Sequence, residues 1–556
     1  LVLRVGESYQ FARLDGEGQL QATGFLVGKM DPGQLNLPRA AAPSAPTGAT
    51  LSAGSSASGS THGMAGKSAS QTPGPLPFLS GTGTVKNLVV LLRFNGHGPG
   101  GQNRNLPSTS DVGDIMNAVG GDPGLAPTGS VRDHYLEDSY GQLTIDSTVT
   151  VWVDVPGSES YYANGNSGLT SKTWELIIDG LNGADSSIDF SQFDLDGDNV
   201  IDAITFLHSG YGAEWGGTDS YGTHYSDRMW SHKWSIPGWT SAEGVSVSTY
   251  NISPGLWATS GSSPGRIGVV CHELGHFFGL PDLYDTDGSS NGLGNWCLMA
   301  AGSWGFDGSQ HYPSHMSAWA KSKMGWLQPQ TILSGTYGLP RVEDTPTIFK
   351  VDSGYPPGEY LLIENRAAWG FDAQLPTEGL AVWHVDETKG SFGANNPNTD
   401  EGYPGQSGWP NNGKHYRIAL LQADNDYDLE KDNNRGDSGD LYHAGGVSSV
   451  TNTSSPSTDA YQPGSAWDNG NDITGIGSAG AMVSMTLSNS QAPSISTSSL
   501  ASAPLGSPYV ANLNSSGGDA PLVWSEHLPS PSYDVADLGA SAYASSGSAK
   551  NWKADE

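Results

Sequence analysis

Basic residues and cysteines are what this chain has least of. Of 556 residues only 25 are Lys or Arg, against 57 Asp or Glu, which leaves a formal net charge of −32 at pH 7. So acidic a surface repels phosphate backbones and anionic lipid headgroups, which excludes a nucleic-acid partner and argues against an anionic membrane surface. No run of apolar residues is long enough to span a bilayer. Two cysteines, Cys271 and Cys297, are too few for a disulfide framework. No basic-then-apolar leader stands before Leu1, and the expectation is that one was removed or lies outside the sequence. What is plentiful is Gly, Ser, Asn and Trp. A polar, lysine-poor surface of this kind suits an extracellular protein, with bound calcium to offset repulsion among carboxylates.

At this length one ordinary core is not enough, and a large catalytic domain with appendages is expected. Residues 1–38 hold short alternating stretches, Tyr9 to Leu14 and Leu20 to Val27, that read as strands. They are expected to be a pro-segment remnant or a plain N-terminal extension. Residues 39–83 are Ser, Ala, Gly, Pro and Thr with little to bury, a linker. The run from Val85 to Phe94 then reads as a buried strand. A capped helix is expected from Ser130, a strand over 143–153, a helix around Trp174 and a strand over 200–207. Alternating strands and helices predict an α/β body with a mixed sheet, its catalytic core reaching to about residue 330. A helix is expected within 313–326. Beyond it strands dominate: 360–365, 379–385, 416–421 and 479–487. Residues 492–530 read as a small Ig-like β-sandwich module, and 531–556 as a truncated tail.

The chemistry concentrates in Cys271-His-Glu-Leu-Gly-His-Phe-Phe-Gly-Leu-Pro-Asp282. A helix is expected to start at Ser263-Pro264. Counted at 100° per residue from Ile267, residues 267, 270, 271, 274, 277 and 278 share an apolar arc. His272 and His276 lie together on the other side, one turn apart, where two imidazoles can converge on one ion. Glu273 stands beside them without ligating. Gly279 ends the helix and permits a turn that swings Asp282 back as a third ligand.

His272-Glu-x-x-His276-x-x-Gly279-x-x-Asp282 resembles the extended zinc signature of metzincin-type peptidases. Asn295 to Met299, followed by Gly302-Ser-Trp304, looks like the Met-turn of that clan, with Met299 as an apolar floor beneath the metal. With Val131 to Gly141, His315 to Lys321 and Gly379 to His384, the likeness extends over about residues 84–488 to the M6, immune inhibitor A-like, family. It implies a secreted zinc endopeptidase, often calcium-stabilised and often made as a zymogen. It also implies one catalytic zinc on His272, His276 and Asp282, with protein or peptide substrates. Such a metal activates water, and Glu273 would act as general base. A monomer is expected.

Asp194-Leu-Asp-Gly-Asp-Asn-Val-Ile-Asp202 reproduces nine positions of a calcium loop, with Asp194, Asp196, Asp198, Asp202 and the Val200 carbonyl as candidate ligands. Asn199 replaces the usual glycine and tolerates the left-handed backbone. An Asp-rich turn leading into a strand is the bland alternative. In the acidic stretch 424–440, Asp437 and Asp440 read as part of a solvated loop. Cys271 and Cys297 are expected either to bridge, tying the helix to the Met-turn, or to remain two buried thiols. His384 reads as structural. Two rival readings are an inactive calcium-dependent binding protein and a zinc hydrolase of non-peptide amides.

Overall fold

The computed structural model describes residues 2–5, 8–14, 20–26, 79–390, 397–462, 464 and 466–489, with four short strands at 494–495, 515–516, 523–527 and 551–555. Most of the linker (39–83), of the expected Ig-like module (492–530) and of the tail (531–556) lies outside these residues. The N-terminal strands are β1 (Val2–Val5), β2 (Ser8–Leu14) and β3 (Leu20–Leu26), an antiparallel sheet of its own.

The body opens at β4 (Gly83–Arg93), an interior strand of a five-stranded sheet with β5 (Leu143–Asp154), β6 (Ala203–Tyr211), β7 (His232–Thr240) and β8 (Ser246–Leu256). The order is β5-β4-β6-β8-β7, parallel except for the antiparallel edge strand β7. Central strands of such a sheet must be apolar on both faces. In β4 and β6 they are. Leu88, Val90 and Leu92 pack on Leu176, Ile177 and Leu181 of a helix on one side. Val89 and Leu91 pack on the other face with Ile267, Val270 and Leu274.

The helices are α1 (Thr109–Asn117), α2 (Val131–Asp138), α3 (Glu159–Ala163), α4 (Lys172–Ala184), α5 (Ile267–Gly275) and α6 (Ala318–Lys323). The cap expected at Ser130 forms as a reciprocal capping box, with Asp133 bonding back to the Ser130 amide. Two expected helix starts move. Helix α5 begins after Arg266 and not at Ser263, because Pro264 bridges to Leu256 and the Gly265 N–H donates to Gly255 O at 2.9 Å. Those bonds hold 263–265 extended beside β8. Likewise residues 313–316 stay out of α6, since Ser314 N–H donates to Gly302 O and His315 N–H to Asp372. Ser317 then caps α6.

The strand-rich second half holds β9 (Gln330–Thr331), β10 (Gly335–Pro340), β11 (Phe349–Val351), β12 (Glu359–Arg366), β13 (Gly379–Asp386), β14 (Ile418–Leu420), β15 (Asn471–Thr474) and β16 (Met482–Asn489). They form two sheets, β14-β13-β12-β11-β9 and β10-β16-β15. Leu362, Ala381 and Trp383 of the first of these join the same apolar cluster as Leu274 and Met299. The second half therefore shares a core with the side of the first sheet that carries α5.

Candidate metal centre

Helix α5 is more deeply buried than its amphipathic pattern suggests. His272 and Glu273 are only 6% and 5% exposed. The helix is braced on three sides. Tyr135 of α2 donates its hydroxyl to Cys271 O at 2.6 Å, and the Gly268 N–H, an orphan donor of the first turn, reaches Gln310 O. Gly275 lies against Met299, so closely that a Cβ there would come 2.4 Å from the Met299 sulfur. The α-helix ends at Gly275, and His276 opens one 3-10 turn closed by Gly279 at φ +84°. That left-handed residue reverses the chain as the sequence demanded.

The reversal brings Asp282 to the histidines. His272 Nε2 and His276 Nε2 stand 3.1 and 3.2 Å from Asp282 Oδ1, with the two imidazole planes nearly perpendicular. Each ring is fixed through its other nitrogen, His272 Nδ1 on Leu298 O at 2.9 Å and His276 Nδ1 on Leu280 O at 2.7 Å. These bonds leave both Nε2 atoms facing Asp282. Asp285, three residues further on, is engaged elsewhere: it accepts from the hydroxyls of Ser289 and Ser290 and from the Asp287 N–H. Tyr284 hydrogen-bonds Asp282 and lies near-parallel to the His272 ring.

Electrostatics follow from this burial. Desolvation pushes the Glu273 carboxyl up to about 7, with the neighbouring imidazoles acting the other way. Burial also works against charge on His272, but Asp282 and Glu273 outweigh it and raise the imidazole to about 9. Asp282 itself is held well below the usual carboxylate range: His276 and His272 overcome the burial that would raise it. His272, Glu273 and Tyr284 all line one cleft.

Met299 is fully buried beneath α5, and its carbonyl accepts from Leu283 N–H at 2.7 Å. Of the two arrangements open to Cys271 and Cys297, the structure has the second: both are free, buried thiols. Cys271 points into the apolar core, while Cys297 Sγ accepts from Ser317 N–H at 3.3 Å. Helix and turn meet instead through Gly275 on Met299 and His272 on Leu298. Behind the turn is a group absent from the sequence reading. Asp138 ion-pairs with Lys321 and His315 at 3.1 Å each, all three buried, and His315 O accepts from Leu298 N–H. No spacing rule flags residues so far apart in sequence.

In the acidic loop, Asp194, Asp196 and Asp198 bring carboxylate oxygens within 4.8 Å of one another. Asn199 has the left-handed backbone expected of it, φ +64°. Asp202 stands just outside that group and accepts from Leu195 N–H; burial raises its carboxyl to about 6. Asp424, Asp437 and Asp440 also gather, with Asp440 buried and bonded by the Trp296 indole at 2.8 Å, so this stretch is not simply solvated. His384 pairs with buried Glu359 at 2.7 Å, a structural contact.

Residues 122–330 match the family model described as the immune inhibitor A peptidase M6 catalytic domain. Immune inhibitor A of Bacillus thuringiensis subsp. alesti is 34% identical over 206 residues, which are 31% of this chain and 28% of that protein. The pre-pro-metalloprotease PrtV of Vibrio cholerae serotype O1 is 26% identical over 215 residues, 34% of this chain and 23% of that protein. The chain thus spans about a quarter of the length of the curated relatives it matches.

Proposed function

Because residues 122–330 make up a domain of the M6, immune inhibitor A-like, metallopeptidase family, we propose that this protein is a secreted, zinc-dependent endopeptidase that cuts extracellular proteins. The observation that carries the reading is the convergence of His272, His276 and Asp282 on one point beside the buried carboxyl of Glu273. Two imidazoles and a carboxylate are a donor set that suits zinc. The fit rests on the backbone bonds that free both Nε2 atoms for an ion. Bound there, zinc would supply Lewis-acid chemistry, lowering the pKa of water towards ~7 and polarising a peptide carbonyl.

The chain's own residues supply the rest. Glu273 is the general base: it takes a proton from the attacking water and returns it to the nitrogen of the leaving strand. Its burial raises the carboxyl, which favours the return of a proton, while a bound cation would favour the carboxylate that takes one. Tyr284 holds Asp282 by its hydrogen bond. Met299 supports the helix between its two histidines, in the manner of a metzincin Met-turn.

Asp194, Asp196, Asp198 and Asp202, with the Val200 carbonyl, form the structural calcium site of this reading. Secretion is supported by the acidic, lysine-poor composition and by a relative that is named a pre-pro-metalloprotease. No helix among the described residues is long and apolar enough to cross a membrane. Residues 84–488 form the peptidase region, with 1–38 as extension or pro-segment and 492–530 as an Ig-like module; the protein acts as a monomer on protein or peptide substrates. Casein zymography tests the central reading. Clearing should vanish with a chelator and return with zinc, whereas clearing that survives complete removal of metal would overturn it.

A further inference from the structure

The cleft that holds Glu273 has a second carboxylate in its wall. Glu214 stands on a 3-10 turn (Ala213–Trp215) immediately after β6, and lines the cleft with Trp230, Ser231, Val269, Ser303 and Trp304. It is only 6% exposed. One oxygen, Oε1, accepts from the Ser231 hydroxyl at 2.8 Å. The other, Oε2, is buried without a well-aligned hydrogen bond, although the Glu214 and Ser231 backbone amides approach the carboxyl. The backbone makes room for the group, since a Cβ on Gly212 would fall 2.4 to 2.6 Å from the Glu214 carboxyl.

A buried carboxylate oxygen without a good partner is costly in its charged form. Such a cost persists at a functional site when something that binds there removes it. The protein's own cations offset it only at a distance: Arg228 acts on Glu214 through space, with its Nη2 bonded to Gly216 O, and Arg435 stands elsewhere in the wall of the same cleft. Arg266 lies stacked on Trp257 with its Nη1 on Ser309 O. A smaller cavity behind the cleft shares Glu214 and Val269 with it and is lined by Trp215 and Trp257. Trp304, Trp215 and Trp257 pack edge to face in succession, with centroids 4.9 and 4.7 Å apart.

A carboxylate at the side of a tryptophan-walled cleft favours one class of visitor: a cation at the end of an apolar stem. The stem lies along indole, the charge gains from the aromatic faces, and the head forms a charge-assisted bond to the open oxygen. An acidic side chain would meet repulsion there, and an aliphatic one would leave Oε2 without a good partner.

We propose that Glu214 is a specificity-determining residue that selects lysine or arginine in the substrate position entering the cleft beside Glu273. This rests on the peptidase reading and names the side chain that reading leaves open. The test uses the zinc-loaded full chain and internally quenched peptides that differ only in residues flanking the scissile bond, Lys, Arg, Leu or Glu. Sites are mapped by mass spectrometry. At one flanking position Lys and Arg should be cut with kcat/KM at least ~10-fold above Leu, and Glu should be the poorest. Glu214→Gln should lose at least ~10-fold on the basic peptides while the Leu peptide stays within a few-fold. Glu214→Gln should also keep the zinc content of the parent. A wild-type profile without basic preference overturns the proposal and leaves the peptidase reading standing, as does a preference that Glu214→Gln leaves intact. Failure of the zinc-loaded protein to cut any peptide overturns both.

Discussion

Substituting Gly275 by alanine probes how the histidine helix rests on its support. The new Cβ would lie 2.4 Å from Met299 Sδ and 3.1 Å from its Cε, where non-bonded heavy atoms settle at about 3.5–4.0 Å. An overlap above 1 Å has to be relieved, and Met299 is fully buried with the core closed around it. Overpacking of this kind costs ~1–3 kcal/mol. Against it stands at most the ~1 kcal/mol by which alanine exceeds glycine in helical backbone, which Gly275 keeps at the end of α5. Gly275→Ala should therefore lose up to ~3 kcal/mol in a denaturant titration of the metal-free protein. The decisive comparison is with Met299→Ala, where the obstruction is gone. There the same change should stabilise by up to ~1 kcal/mol, so the cycle should show a coupling of ~1–3 kcal/mol between the two sites. Lifting α5 from the turn should also loosen the His272 Nδ1 bond to Leu298 O and weaken zinc binding in the single variant. Equal stabilisation by Gly275→Ala in both backgrounds would refute the contact.

Other consequences are as direct. Melting temperature and resistance to autolysis should rise with added calcium at constant zinc, and Asp196→Ala should blunt that response; identical curves with and without calcium would count against the acidic loop as an ion site. Asp138→Asn leaves Lys321 and His315 buried beside a neutral partner and should cost ~3–5 kcal/mol in chemical denaturation. Burial alone would raise the Asp138 carboxyl, but Lys321 and His315 hold it below its ordinary value. A depressed folded value means its stabilisation is present above the unfolded pKa of ~3.9 and is lost as pH falls through the folded one. The gap between wild type and variant should accordingly be wide at neutral pH and close in acid; a gap that grows in acid would contradict the assignment.

Much of the candidate centre was legible because it is local. Spacing along one helix places His272 next to His276, and a glycine that tolerates φ +84° returns the chain to Asp282 within ten residues of His272. Strands β12, β13, β14 and β16 of the second half were likewise readable from their apolar runs, with β12 and β13 buried along almost their whole length, whereas the short or exposed β9, β10, β11 and β15 were not. What escaped depended on contacts distant in sequence. Pattern alone gave α5 a start at Ser263, but a bridge to Leu256 keeps that segment extended. The cysteines looked close enough to bridge, yet Cys297 is turned towards Ser317 and Gly275 takes the place beside the Met-turn. Glu214 sits some 60 positions before Glu273 in a turn with no motif, and only the fold brings both into one cleft.

Glu273 needs to be at the centre without holding the ion. The direct measurement is zinc stoichiometry and casein hydrolysis on the same preparation of Glu273→Ala. One zinc per chain should remain, while kcat falls by at least ~10³-fold, the upper part of the range for general acid–base catalysis because one residue serves two proton transfers. Hydrolysis near the wild-type rate, or zinc lost together with activity, would contradict it.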